Sequence, residues 1–163
     1  MADRDDKPAL RPMLPADAPA LAAIFGASVD ELTGDDYDED QRAAWMATAE
    51  DEPAFAARLG AMLTLVATVD GAPAGFASLK DNARIDMLFV DPALARRGIG
   101  TLLVDALEKL AKARSAQALV VDAPDAGRAF FERRHYVAQS RQSVPVNGEW
   151  LASTRLELKI EDA

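Results

Sequence analysis

The chain has 163 residues, of which 50% are hydrophobic, a size and composition that fit one domain and exclude wholesale disorder. Eighteen Lys plus Arg against 27 Asp plus Glu give a net charge of −9, which argues against nucleic-acid binding and suits a cationic ligand such as an amine. The absence of Cys excludes disulfides, a thiolate metal site and a cysteine nucleophile, and the single His135 excludes a His-rich metal site, so no metal is expected.

Met1 to Pro8 is charged and is expected to be a disordered tail, with one domain over residues 9–161. No signal-type apolar stretch and no run of ~20 apolar residues is present, so the expectation is a cytoplasmic protein without a membrane partner. Ala9 to Met13 reads as an edge strand. Pro15-Ala16-Asp17 reads as a helix entry, with Asp17 as cap and Pro19 in the first turn. Leu21, Ile24, Phe25 and Val29 then recur at helical spacing until Gly34-Asp35-Asp36. A second helix is predicted over about Glu39–Ala49 and a third over Pro53–Gly60.

Leu63–Val69 and Pro73–Leu79 read as strands joined by Asp70-Gly71, a two-residue hairpin turn. Ile85–Val90 is a further strand, ended by Asp91-Pro92. The longest helix spans Gly98 to about Ser115, with one apolar stripe through Ile99, Leu103, Leu107 and Leu110. Its wet side carries Asp105–Lys109 and Glu108–Lys112 as acid-before-base pairs. Ala118–Val121 is a short strand and Ala126–Arg134 a short helix. Val137–Val146 and Trp150–Ile160 form a hairpin through Asn147-Gly148. This order predicts an α/β or α+β fold with a mixed sheet.

The chemistry concentrates in Ile85 to Thr101, where a strand and loop lead through Arg96-Arg97-Gly98-Ile99-Gly100 into the long helix. A helix start leaves backbone N–H groups unpaired and carries partial positive charge. Glycines there admit a phosphate close to the backbone, and two arginines add donors. The residues read as a pyrophosphate cradle. No Gly-Lys-Ser/Thr triplet completes a P-loop. Seven residues separate Val90 from Gly98 and position 103 is Leu, so a Rossmann turn fits poorly as well.

Val90-Asp91-Pro92 with Gly98-Ile99-Gly100 resembles the central motif of the GNAT superfamily of acyl-CoA-dependent N-acetyltransferases. Ala95 departs from that motif, whose first position is Gln or Arg. Phe130-Phe131-Glu132-Arg133-Arg134-His135-Tyr136 looks like the family's Phe-Tyr-x-x-x-Gly-Phe segment. Tyr37, Gln41, Ala44-Trp45, Ile85-Asp86-Met87-Leu88, Val121-Asp122-Ala123 and Asn147-Gly148-Glu149-Trp150 are similar to the bacterial YafP-like subfamily, over about Leu10 to Leu158. The resemblance implies a mostly antiparallel sheet of about seven strands, flanked by helices and splayed at the acyl-CoA site. It implies acetyl-CoA as cosubstrate, held by Leu88, Phe89, Val90, Arg96, Arg97, Gly98, Ile99, Gly100, Thr101, Asp122, Phe131 and Arg134.

An amine attacks only when neutral, and an unperturbed lysine-type amine has a pKa of ~10.4, so a base is expected. Asp86 and Asp122 are the candidates. Strand alternation puts Asp86 on the face of Leu88 and Val90. Many family members protonate the departing thiolate with a Tyr where this chain has Phe131, which leaves Tyr136, at a position that packs into the core in the family, and Tyr37 as a second candidate. His135 stands at the family's glycine position and reads as a helix C-cap. Tyr37, Trp45, Glu149 and Trp150 fall in the regions that flank the acceptor site. The resulting expectation is direct acetyl transfer to a small-molecule amine in a ternary complex, by a monomer or homodimer. The alternatives are a non-catalytic acyl-CoA-binding module and a protein N-terminal or lysine acetyltransferase.

Overall fold

Two tight turns set two antiparallel pairs of the sheet. Asp70-Gly71 and Asn147-Gly148 both have positive φ at each residue, the backbone that matches the twist of the strands they join. The computed structural model describes residues 7–160. Of the expected tail, Met1–Asp6 lie outside the described residues, as does Glu161 at the other end.

The chain runs β1 (Ala9–Pro12), α1 (Ala18–Leu32), α2 (Glu39–Met46), α3 (Glu52–Gly60), β2 (Leu63–Val69) and β3 (Ala72–Lys80). It continues with β4 (Arg84–Val90), α4 (Ile99–Ala113), β5 (Ala118–Ala123), α5 (Asp125–Arg133), β6 (Val137–Val146) and β7 (Glu149–Lys159). All of these appear in the sequence reading, with ends shifted by a few residues. One sheet takes the order β1-β2-β3-β4-β5-β7-β6. Every neighbouring pair is antiparallel except β4–β5. The expected mixed, mostly antiparallel seven-stranded sheet is therefore present.

Helices cover both faces. The apolar stripe of α4, with Ile99, Leu103 and Leu107 fully buried, packs on Ala77, Leu79, Ile85, Leu119, Val121 and Leu156. Phe131 and Tyr136 extend that core. The other face takes α1 and α3, where Leu21, Phe25, Phe55 and Leu59 meet Val66, Phe76 and Met87. Gly75 of β3 sets how closely α4 approaches. A Cβ there would lie 3.0 Å from the Phe89 carbonyl and 3.1 Å from Ile99. The missing side chain lets the first residue of α4 sit on the sheet beside β4.

Three local expectations change. Asp17 does not cap α1, whose N-terminus has no side-chain cap. Its carboxylate accepts from Arg11 and from the Leu14 N–H, because a guanidinium lies within reach. Asp105 and Glu108 turn from their helix lysines to Arg134, which bonds both. Arg134 is a fork on a neighbouring helix end, and one planar group satisfies two carboxylates. The alternation argument for Asp86 also fails, because β4 carries a bulge. Ser78 opposes Met87 and Leu79 opposes Ile85, so Asp86 has no partner on β3. A bulge re-aims the extra residue. Ile85, Leu88 and Val90 face α4, whereas Asp86 meets Arg58 of α3 on the opposite face.

His135 sits at the C-terminal end of α5 with φ +73° and is exposed, and its N–H bonds the Glu132 carbonyl. A non-glycine side chain is disfavoured in that region. His135→Gly is expected to stabilise the protein by about 0.5–1 kcal/mol, read as a higher denaturant midpoint with an unchanged slope. A lower midpoint would show that the imidazole contributes more than the strain costs.

Candidate active site

Strands β4 and β5 pair only at Arg84–Val120 and Ile85–Val121. Beyond Ile85 the strands separate. The backbone of residues 87–90 keeps β3 on one side and has no strand on the other. A cleft of about 430 Å³ opens there. Its floor is Asp86 to Val90. One wall is Ala95, Arg96 and Gly98 to Thr101, and another is Val121 to Pro124 with Phe130, Phe131 and Arg133 of α5. On the α1 side lie Ser28, Leu32, Thr33 and Trp45.

Gly98 caps α4 with φ +79°, a backbone that side chains rarely adopt, and offers no side-chain acceptor. The first helical bond runs from the Leu102 N–H to the Gly98 carbonyl. The N–H groups of Ile99, Gly100 and Thr101 therefore precede the helical ladder. Arg96 and Arg97 are exposed beside them. An uncapped helix N-terminus with two guanidinium groups fits a pyrophosphate. The donor set accordingly fits the pyrophosphate of a coenzyme A.

The cleft brings together Leu88, Phe89, Val90, Arg96, Gly98, Ile99, Gly100, Thr101, Asp122, Phe131, Asp86 and Trp45 from the expected set. It does not bring in five others. Arg97 stands exposed beside the loop. Arg134 faces α4 through Asp105 and Glu108, and its guanidinium carbon lies 5.9 Å from the Phe130 ring centroid. Tyr37 is buried and its hydroxyl donates to the Ala152 carbonyl. Burial pushes its pKa up to about 12, with Asp125 adding to the rise. Glu149 and Trp150 sit at the start of β7, outside the cleft, and Trp150 is 63% exposed. The Trp150 carbonyl, not its ring, is engaged, by the Gln41 amide at 2.8 Å.

The two candidate acids differ in surroundings. Asp86 accepts from Arg58 at 3.0 Å and stays partly exposed. Asp122 is held by two arginines: Arg84 at 2.7 Å and Arg155 at 3.0 and 3.3 Å. Burial pushes the Asp122 carboxyl up, but the Arg155 hydrogen bond and both guanidinium charges outweigh it. Its pKa is held below the ordinary carboxylate value, which makes it a weak proton acceptor. Phe131 is buried against Phe130 and Tyr136 at ring distances of 5.1 and 5.2 Å. The Tyr136 hydroxyl donates to Glu108 at 2.8 Å, away from the cleft. Among the described residues no tyrosine lines the cleft.

Ser28 and Arg58 are site residues that the sequence reading missed. Ser28 interrupts the apolar stripe of α1 and is buried there, a legible signal. Arg58 adjoins buried Leu59 on α3 and carries no local signal, because its role depends on the β4 bulge.

A sheet splayed at its one parallel junction, beside an uncapped helix start, is the arrangement that the resemblance to the GNAT superfamily implies. Residues 33–158 match the acetyltransferase (GNAT) domain family. The chain is 33% identical over 150 residues to the uncharacterized N-acetyltransferase YafP of Escherichia coli, covering 92% of this chain and 95% of that one. The GCN5-related N-acetyltransferase structure from Rhodopseudomonas palustris is 55% identical, with a TM-score of 0.93 over 94% of this chain and 96% of that one. A more distant likeness, at 17% identity and TM-score 0.74, is the PaiA N-acetyltransferase from Thermoplasma acidophilum in complex with coenzyme A, covering 94% and 99%. The chain belongs to the GNAT acetyltransferase family and is an acetyl-CoA-dependent N-acetyltransferase.

The Asp122 cluster makes a stability prediction. Because its native pKa is lowered, Asp122 contributes fully above its unfolded value of about 3.9. That contribution is lost as pH falls through the lower native value. Asp122→Asn is expected to lower stability by about 1 kcal/mol at pH 7, or Tm by roughly 2–4 °C. The gap to wild type should close as the pH is taken down towards the acid limit. An unchanged gap at acid pH would mean that the contribution is steric.

Proposed function

We propose that the protein transfers the acetyl group directly to a small-molecule amine in a ternary complex, without a covalent enzyme intermediate. The observation that carries this reading is the free β4 edge beside the uncapped start of α4. An acyl-pantetheine arm would pair with that edge as an added strand does. The backbone N–H near Leu88 would polarise the acyl carbonyl. The amine nitrogen attacks the carbonyl carbon, and the C–S bond breaks. The coenzyme leaves as thiolate.

The proton from the amine goes to Asp86, directly or through a water, and solvent reprotonates the thiolate. Asp86 is favoured over Asp122 because two arginines already occupy Asp122. Trp45 stacks edge-on against Phe25, Tyr37 and Phe89 and forms the apolar wall of the acceptor side. The working location we assign is the cytoplasm, and residues 9–161 act as one domain.

Calorimetry and thermal shift with acetyl-CoA test the cradle. At 100 times Kd a single-site ligand adds ~2.7 kcal/mol, a rise of roughly 5–10 °C for this size. Asp86→Ala is expected to lower kcat by about 10²-fold across pH 6–9 while the acetyl-CoA Kd stays near wild type. Unchanged turnover over that range would remove Asp86 as the base.

A further inference from the structure

Sheet parity and one bulge place four charged side chains of the sheet on one face, where Arg58 of α3 joins them. Ile85, Val121 and Leu156 point into the α4 core. Their neighbours Arg84, Asp122 and Arg155 therefore face the other way, towards the α1–α3 side. The bulge brings Asp86 to that same side, where Arg58 meets it. The ion pairs make a row, with Arg58 on Asp86 and both Arg84 and Arg155 on Asp122. Asp86 and Asp122 line the cleft, and Arg58, Arg84 and Arg155 stand just outside that lining, each bonded to one of the two acids.

The row holds three guanidinium groups against two carboxylates in a chain of net charge −9. Glu157 and Lys159, further along β7, carry opposite charges and leave that sign unchanged. Arg84 spends one donor on Asp122, and Arg155 spends its Nε and one Nη. A guanidinium has five N–H donors in a rigid fork. Both side chains are 37% exposed, and among the described residues neither has another acceptor. The unspent donors suit a planar oxyanion.

We infer that the acceptor is an amine that also carries a carboxylate, with the carboxylate recognised by Arg84 and Arg155 and the amino group directed to Asp86. This rests on the acetyltransferase reading above and narrows its acceptor. The opposed charges of the row match the opposed charges of a zwitterion. A plain polyamine would meet two guanidinium groups with no anion to offer them.

The test compares amino acids with their methyl esters and decarboxylated amines, reading thiol release from acetyl-CoA. The free acids are expected to exceed the esters in kcat/KM by about tenfold or more, as a charge-assisted hydrogen bond suggests. Arg84→Gln and Arg155→Gln are expected to reduce that acid-to-ester ratio by about tenfold. The wild-type comparison needs no variant, so it stands even if a substitution impairs folding. Acetyl-CoA titration runs alongside. Coenzyme binding with esters or plain amines used equally well or better, or with no amino acid used, overturns this inference alone. Failure of the wild-type protein to bind acetyl-CoA overturns the acetyltransferase reading and the inference with it.

Discussion

The junction of β4 and β5 governs the rest of the molecule. Every other pair of neighbouring strands is antiparallel, whereas this parallel pairing stops after two residue pairs. β4 is held to β3 and β5 to β7, so each strand keeps one satisfied edge while they part. Parting leaves backbone N–H and C=O groups that must find water or a ligand. The cleft follows from that requirement. So does the location of α4, whose first residue approaches the sheet only because Gly75 has no side chain.

Electrostatics divides the site in two. At the start of α4, backbone dipoles and two arginines make a positive cradle within an acidic chain. On the opposite face, arginines and carboxylates alternate across strands that only the tertiary fold brings together. Asp122 is a clasp in that arrangement. It joins β4 to β7 across β5 through Arg84 and Arg155, next to the point where the sheet opens. A carboxylate so held supports the splay better than it could accept a proton. Asp86 has one partner and no strand neighbour, which leaves it freer for chemistry. Among the described residues, the phenol usual at the Phe131 position is not replaced by another tyrosine in the cleft. The mechanism we propose needs no such phenol, because solvent can protonate a thiolate leaving group.

Legibility in the sequence tracked how local each determinant is. The glycine loop, the two hairpins and the α4 stripe depend on neighbours a few residues away, and they were readable. His135 was readable as a cap because a helix end demands positive φ there. Asp86 was readable as a candidate base but not in its direction, since one bulge reversed its face. Glu149 and Trp150 were drawn towards the acceptor site by resemblance. The structure instead uses the Trp150 carbonyl to bind Gln41, and the indole lies exposed.

Taken alone, the sequence determined the element order, the mixed sheet and the glycine-rich helix start, because periodicity, turn dipeptides and a helix start are properties of contiguous residues. Tertiary structure decided which charges meet. Arg58 with Asp86, Arg84 and Arg155 with Asp122, and Arg134 with Asp105 and Glu108 are separated by 26 to 38 positions in the chain. No periodicity spans such distances. Their pairing depends on strand order, on one bulge and on helix placement, which only the packed core sets.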